Sequence, residues 1–284
     1  MGTHSKPNQG LNKMKEKIVV QRLLAFAIII ILACFGGSAN AQTFDSVSHI
    51  HQVKVVGNRV LFLTHEGLYE LVSKNNMKLV GKDKIDVMGF TVLGRTLFAG
   101  GHPAQGSKLP NPIGLVRSTD GGISWKAVSL VGKVDFHFLE GAGSEIYGTD
   151  SQSGNLIYSS DSGKTWNPLA ANTFTDIAVS PTQPGMAVAI KDSQLLLTEN
   201  SFKSTTSVKS TLKFTQIEWR NSGLYALSGS SLYLSSDSGN TWRKLSTFKS
   251  ATGILSASDQ LMLVTVGADI YTSTDAGRKF TLVA

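Results

Sequence analysis

Residues 159–166 read SSDSGKTW, and this eight-residue pattern decides the fold because it recurs along the chain. Three more copies with the form S-x-D-x-G-x-x-aromatic occupy residues 118–125, 235–242 and 273–280. The aspartates of the four copies are Asp120, Asp161, Asp237 and Asp275. Successive aspartates are 41, 76 and 38 residues apart, and the middle step is about twice the others. A fixed period near 40 residues indicates a repeat architecture.

Each residue type in the pattern has a physical role in a turn. The Asp accepts hydrogen bonds from N–H groups of its own turn, and the Gly adopts positive φ. The aromatic residue anchors the turn by burying a large apolar face. The flanking segments 155–158 (NLIY) and 231–234 (SLYL) are strand-like. The pattern therefore predicts a hairpin turn between two antiparallel strands.

The pattern resembles the Asp-box, or bacterial neuraminidase repeat, of sialidase-like and sortilin-like β-propellers. In those families the box joins the third and fourth strands of a blade, on the face away from the ligand, so the resemblance implies a structural role for the boxes. Residues 42–284 are similar to small secreted bacterial Asp-box propellers labelled glycosyl-hydrolase-like, sortilin-N-terminal-like or exo-α-sialidase-like. Segments 86–90 (DVMGF) and 134–137 (VDFH) carry the likeness to that small group.

The period predicts an all-β fold, a single six-bladed β-propeller over residues 42–284. Degenerate boxes at 73–76 and 198–201 lie at the phase that the period requires. Gly, Asn, Ser and Asp punctuate the chain at short intervals, as in an all-β repeat protein. The expected blades span 46–82, 83–129, 130–171, 172–210, 211–247 and 248–284.

The first 41 residues predict a secretory signal peptide with an N-terminal extension. Lysines and Arg22 precede an apolar run over 23–35, and small residues follow it. The run is too short for a membrane span. Met1 and Met14 both remain candidates for the start. The predicted location is therefore outside the cytoplasm.

Two processing schemes fit this leader. Signal peptidase cleavage after Ala41 would leave Gln42 as the first residue. Residues 31–34 (ILAC) also resemble a lipobox, in which Cys34 would carry the lipid that anchors the protein to a membrane. Cys34 is the single cysteine of the chain, which agrees with an exported protein that does not depend on disulfides.

The charge of the chain gives no reason to propose nucleic acid as a partner. The formal net charge is +7, but residues 1–41 contribute five Lys or Arg and one Glu, which leaves about +3 for the rest. The sequence contains no phosphate-binding loop and no dinucleotide fingerprint. A monomer is expected, with a glycan or an exported protein as the partner.

In a propeller the first strand of each blade lines the central channel. Polar residues align in the predicted first strands of the first three blades. The five histidines of residues 42–284 all lie in these blades. Strand positions two apart share a face, so the aligned side chains are expected to converge on one polar pocket at the channel mouth. One aligned position holds His49, Asp86 and Asp135. The next holds His51, Met88 and His137. The ends of the second strands add His65, His102 and Asp150.

The aligned residues are compatible with metal binding, with glycoside hydrolysis, or with a purely structural role. The candidate metal ligands are His51, Met88, His102 and His137; His with Met would favour copper, and His with Asp would favour zinc. A glycoside hydrolase would use Asp86 and Asp135 as its acid pair, with Asp150 in reserve. Alternatively, these groups only hydrogen-bond within a water-filled channel. Sialidase activity is not expected, because no arginine triad falls on this face.

Overall fold

The computed structural model describes residues 42–43, 47, 49–74, 76–83, 85–104 and 107–284. The predicted signal peptide, Cys34 and the proposed cleavage site lie outside these residues, as does Asn75 of the first degenerate box. The described chain is all-β, and within it no helix is long and apolar enough to cross a membrane.

Consecutive strands form six antiparallel sheets, which are the blades of a six-bladed propeller. Blade 1 contains β1 (Gln42–Thr43), β2 (Ile50–Val56), β3 (Arg59–Thr64), β4 (Gly67–Ser73) and β5 (Asn76–Leu79), with β1 paired to β5. Blade 2 contains β6 (Ile85–Leu93), β7 (Thr96–Pro103), β8 (Leu115–Ser118) and β9 (Lys126–Ser129). Blade 3 contains β10 (Phe136–Ala142), β11 (Glu145–Asp150), β12 (Asn155–Ser159) and β13 (Asn167–Ala171).

The second half of the chain repeats the same four-stranded unit. Blade 4 contains β14 (Asp176–Val179), β15 (Ala187–Lys191), β16 (Gln194–Thr198) and β17 (Thr206–Val208). Blade 5 contains β18 (Phe214–Arg220), β19 (Gly223–Ser228), β20 (Ser231–Ser235) and β21 (Arg243–Thr247). Blade 6 contains β22 (Leu255–Ala257), β23 (Met262–Val266), β24 (Asp269–Ser273) and β25 (Thr281–Leu282). The prediction of six blades is confirmed.

The first strands of the blades form a closed ring around the channel. Each contacts the first strand of the next blade, and β22 of blade 6 contacts β2 of blade 1. At this closure the Val55 N–H donates to Ser256 Oγ at 3.0 Å, and Ser258 Oγ donates to the Gly57 carbonyl at 2.6 Å. Ring closure hides most strand edges, so no extra capping element is needed.

The hydrophobic core is divided among the blade interfaces. Six buried clusters fill the spaces between neighbouring blades, one cluster to each interface. Between blades 2 and 3, for example, Phe98 and Leu115 pack with Phe136 and Ile146, all of them buried. Each blade is therefore held by apolar contact with both neighbours, and its first strand is fixed at the centre of the ring.

The four Asp-boxes lie between the third and fourth strands of their blades, as predicted. In blade 3, Asp161 Oδ1 accepts the N–H groups of Thr165 at 2.9 Å and Lys164 at 3.0 Å, and Asp161 Oδ2 accepts the Thr165 hydroxyl. Hydrogen bonds from the Thr165 N–H and hydroxyl lower the pKa of Asp161 to about 2. The ionised carboxylate thus holds the turn closed at neutral pH.

The degenerate box of blade 4 keeps the same geometry without a carboxylate. Asn200 Oδ1 accepts the Ser204 N–H at 2.9 Å, and Thr198 Oγ1 accepts the Phe202 N–H at 2.9 Å. Phe202 occupies the position of the box glycine with φ +60°. Its ring packs edge-on against Tyr147, with the centroids 5.3 Å apart, so the aromatic anchor has moved within the turn.

We expect Gly163→Ala to destabilise the fold more than Gly154→Ala does. Both glycines have positive φ, +79° and +70°, but a Cβ on Gly163 would lie 2.1 Å from Leu115 Cδ2, whereas a Cβ on Gly154 has open space. Backbone strain should cost about 1–2 kcal/mol at either site. The overlap with buried Leu115 should add about 1–3 kcal/mol at Gly163 alone. Urea unfolding of the two variants measures the difference, and equal losses would contradict the packing argument.

Candidate functional site

The channel mouth is shaped by a β-bulge near the start of each first strand in blades 1 to 3. The register against the second strand shifts between Ile50 and Gln52, between Val87 and Gly89, and between Phe136 and Phe138. A bulge adds one residue to a strand and redirects its side chain. The three added residues are His51, Met88 and His137, the set that the sequence places at one aligned position.

Two histidines and one aspartate meet where blade 1 contacts blade 2; we call this group triad 1. His51 Nε2 lies 3.0 Å from Asp86 Oδ1, and His65 Nδ1 lies 2.8 Å from Asp86 Oδ2. The two ring nitrogens are 3.3 Å apart. The side chains of His51 and Asp86 are mostly buried, whereas that of His65 is 43% exposed. Triad 1 therefore presents three ligand atoms to a point that solvent can reach.

A second group, triad 2, forms where blade 2 contacts blade 3. His137 Nε2 lies 3.0 Å from Asp135 Oδ2, and His102 Nε2 lies 3.4 Å from the same oxygen. Ser151 Oγ also donates to Asp135 Oδ2, at 2.5 Å. The Asp135 side chain is 7% exposed, and its Oδ1 is buried with no hydrogen-bond partner among the described residues. A buried carboxylate oxygen without a donor is costly, which suits a site for a cation.

The loop after β7 orients one histidine of triad 2. His102 Nδ1 lies 3.0 Å from Asn111 Oδ1, a carbonyl oxygen that can only accept. The His102 hydrogen therefore belongs on Nδ1, and the lone pair of Nε2 faces Asp135. Two acceptors that face each other in this way repel unless a proton or a metal ion lies between them.

The hydrogen bonds of triad 1 also leave one contact unsatisfied, in this case between two donors. Each imidazole can donate one hydrogen to the Asp86 carboxylate, but the 3.3 Å contact between His51 Nε2 and His65 Nδ1 then has two donors and no acceptor. One cation inside the triangle would accept electron pairs from all three atoms. Both triads therefore have donor atoms that could hold a metal ion.

The structure divides the aligned residues between two triads, whereas the sequence led us to expect one pocket. The reason is that each contact forms across a single blade interface: Asp86 faces blade 1, and Asp135 receives His102 from blade 2. His49 is exposed, with its ring centroid 5.1 Å from that of His65, and it belongs to neither triad. Met88 lies at the bulge of blade 2, half-buried.

Asp150, the reserve carboxyl for a hydrolase, is engaged in its own loop. It accepts the N–H groups of Gln152 and Ser153 and the Ser153 hydroxyl, and it also accepts the Asp135 N–H. Partial burial opposes ionisation of Asp150, but these hydrogen bonds outweigh it and lower its pKa. Asp150 therefore closes a turn beneath the mouth.

A second polar set, which the sequence analysis missed, lies farther along the channel. Lys54 Nζ is 3.5 Å from Glu140 Oε2, and Arg220 is ion-paired with Glu218. Burial lowers the pKa of Lys54, but Glu140 and the other carboxylates raise it by more. These four residues lie within first strands, where the prediction of a site considered only the polar residues expected at the mouth.

Asp176 is the titrating member of this channel set. Burial raises the pKa of Asp176 to about 7, and the negative charges of Glu140 and Glu218 also raise it. The Ile217 N–H, which donates to Asp176 Oδ2 at 2.8 Å, and the positive charge of Lys54 lower the pKa but do not outweigh burial. The channel set thus holds three carboxyl groups and two cations, and burial raises the pKa of Glu140 as well as that of Asp176.

Comparison with known proteins agrees with this architecture. A family model described as the BNR/Asp-box repeat matches residues 116–127, which contain the box of blade 2. No curated protein matches the chain. The chain is a six-bladed β-propeller, and one of its four Asp-boxes matches the family model.

Several solved structures share the fold at low sequence identity. The structure of YCF48 bound to D1 peptide has a TM-score of 0.52 and 17% identity, over 89% of this chain and 86% of that chain. PorZ, a surface component of the type-IX secretion system of Porphyromonas gingivalis, has a TM-score of 0.55 and 13% identity, over 85% of this chain but 34% of that chain. A nidogen/laminin complex has a TM-score of 0.55 and 12% identity, over 78% of this chain and 91% of that chain. These likenesses show the fold alone.

We expect Asp176→Asn to stabilise the protein at pH 8 and to stabilise it less at pH 5. Because the pKa of Asp176 is raised in the folded state, its contribution to stability falls as pH rises from about 4 through about 7. The neutral amide removes that loss, and the gain at pH 8 should be roughly 1–3 kcal/mol. Urea unfolding at both pH values measures it.

The matched control is Asp150→Asn, whose effect should have the opposite sign. The pKa of Asp150 is lowered on folding, so its stabilising contribution is present above the unfolded pKa and is lost on acidification. Asp150→Asn should therefore destabilise at pH 8 and less so near pH 3. If Asp176→Asn shifts stability equally at pH 5 and pH 8, the assignment of the raised pKa is wrong.

Proposed function

We propose that this protein is an exported binding propeller that holds a divalent transition metal ion, with zinc the best match, at the channel mouth of blades 1 to 3. One observation carries the proposal: the mouth contains two groups of two imidazoles and one carboxylate whose ligand atoms lie within 4.8 Å of one another. Two imidazoles with a carboxylate are a common donor set for zinc.

The separations of the ligand atoms fit a metal ion. Ligands at roughly 2.0–2.1 Å from a tetrahedral zinc ion lie roughly 3.3–3.4 Å from each other. The ring nitrogens of His51 and His65 are 3.3 Å apart, and His102 Nε2 is 3.4 Å from Asp135 Oδ2. The other contacts, of 2.8 and 3.0 Å to the two oxygens of Asp86 and of 3.0 Å to Asp135, are hydrogen-bond distances that would lengthen around the ion. Only small side-chain adjustments would be needed to admit the ion.

Asn111 contacts a proposed metal ligand, His102, through the ring nitrogen that would not bind the metal. Histidines that bind a metal through one ring nitrogen usually donate the other N–H to a carbonyl or carboxylate, which fixes the ring. His102 has this arrangement through Asn111. The loop that carries Asn111 therefore acts, in this proposal, as a positioning element for triad 2.

Three protein ligands leave a coordination position for another molecule. We infer that this position, together with the exposed His49 and His65, is where a partner docks. An exported protein is the partner class we favour, because similar propellers occur in a complex with a peptide and in a nidogen/laminin complex. The predicted signal peptide supplies the route out of the cytoplasm.

The glycoside hydrolase alternative would use the same two aspartates. Asp86 and Asp135 would have to face each other across a sugar as acid and nucleophile or base. In the structure each carboxylate instead contacts two imidazoles. This pairing favours metal coordination over the hydrolase.

Zinc titration of the metal-free protein should give about two equivalents at neutral pH, one for each triad. His65→Ala should remove one equivalent and His102→Ala the other, because each deletes one of three ligands. Binding should weaken as pH falls below about 6, since a protonated imidazole cannot coordinate. Isothermal titration calorimetry with elemental analysis measures both stoichiometry and affinity.

The matched control for these variants is His49→Ala, which removes a neighbouring imidazole that belongs to neither triad. It should leave the stoichiometry unchanged. Absence of zinc binding by the folded wild-type protein at pH 7.5 would overturn the proposal. If, in addition, Asp86→Asn abolished hydrolysis of a glycan, the hydrolase alternative would replace it.

Asn111→Ala should weaken zinc binding at triad 2 by about 10–100-fold and leave triad 1 unchanged, because the His102 ring loses the acceptor that fixes it. Asn111→Asp keeps an acceptor for the His102 N–H and should restore most of the affinity. His65→Ala, introduced with either variant, isolates triad 2 for the titration. Equal affinities for Asn111→Ala and its parent would show that the loop does not position His102.

A further inference from the structure

The two triads are related by a step of one blade. In blade 1 the residue pair before the bulge is Ile50 with Thr64, and His65 follows Thr64. In blade 2 the corresponding pair is Val87 with Gly101, and His102 follows Gly101. His102 is therefore the counterpart of His65.

The same step relates the other two corners. Asp86 and Asp135 each lie two residues before the bulge of their own blade, so Asp135 is the counterpart of Asp86. The bulge residues His51 and Met88 are counterparts as well. Met88 is thus the residue of blade 2 that matches His51 of triad 1 in register, and His137 from blade 3 supplies the second imidazole of triad 2.

Gly101 makes room for Met88 beside this corner. A Cβ on Gly101 would lie 3.1 Å from Met88 Cγ and 2.2 Å from the Asp86 carbonyl oxygen. The φ of Gly101 is +135°, a conformation that residues with a side chain rarely adopt. The missing side chain therefore lets the Met88 side chain lie against the end of β7, directly before His102.

We propose that the two sites differ in metal preference: triad 1 is a zinc site, and triad 2 with Met88 is a site for Cu(I). This inference rests on the proposed function, since it requires that the triads bind metal. A soft thioether with two imidazoles suits Cu(I), whereas two imidazoles with a carboxylate suit zinc. Asp135 provides negative charge beside the copper ion, with its Oδ1 free of hydrogen bonds from the described residues.

The experiment measures Cu(I) and zinc affinities of the full chain under anaerobic conditions, with bicinchoninate as the competitor for Cu(I). His65→Ala is present throughout, so that triad 2 is observed alone. Met88→Leu, of similar size but without sulfur, should weaken Cu(I) binding at least about tenfold and leave zinc affinity unchanged. Met88→His recreates the corner of triad 1 and should strengthen zinc binding.

Met186→Leu is the control, because Met186 is a half-buried methionine of blade 4, outside the mouth. It should change neither affinity. If zinc binds but Met88→Leu leaves Cu(I) affinity unchanged, this inference is overturned and the proposed function stands. If neither ion binds to any of these variants and zinc does not bind to the wild-type chain, both are overturned. Thermal melts verify that each variant is folded, and Met88→His gives an independent reading if Met88→Leu is unstable.

Discussion

The close approach of each Asp-box turn to the preceding blade is the constraint on which the rest of the structure depends. The box glycine has positive φ and faces a leucine of the neighbouring blade at a distance that admits no side chain, as Gly163 does with Leu115. The equivalent pairs are Gly122 with Leu68 and Gly277 with Leu232, whereas at Gly239 a Cβ would lie 3.3 Å from Leu195, a tight contact rather than an overlap. This contact sets the spacing between blades, and the apolar clusters fill the space that it leaves. The first strands are then fixed at the centre of the ring.

The mouth inherits its geometry from that spacing. Ile85 and Val87 are buried between blades 1 and 2, so strand alternation directs Asp86 away from the core and toward the histidines of blade 1. Phe136 is likewise buried against Trp166, with ring centroids 5.0 Å apart, and it holds Asp135 and His137 on either side of it. The triads are thus rigidly supported, as a metal site requires.

Much of the fold could be predicted from the sequence, because the residue types of the Asp-box predict a hairpin turn and the repeat period predicts the number of blades. Even the degenerate box that begins at Thr198 forms its turn at the position that the repeat period predicts, because Asn200 Oδ1 accepts the hydrogen bond that an Asp carboxylate accepts in the other boxes. The aligned mouth residues were also visible in the sequence. Their division into two triads was not, because it depends on which blade each carboxylate faces across an interface. The channel set was missed because the first strands were aligned only at the mouth and only in blades 1 to 3, whereas this set also draws on blades 4 and 5.

The mouth and the channel set are joined by the strands that carry both. Lys54 follows His51 by three residues in β2, and Glu140 follows His137 by three in β10. At roughly 3.3 Å per residue this is a separation of roughly 10 Å along each strand. Two unit charges at that distance interact by roughly 1–2 kcal/mol at an effective dielectric constant of about 20. A divalent ion at the mouth would therefore favour the ionised form of Glu140 and disfavour that of Lys54, with which Glu140 is paired. Since linkage is reciprocal, a proton on Glu140 would disfavour the ion, so the metal binding that we propose would be coupled to the protonation of this pair.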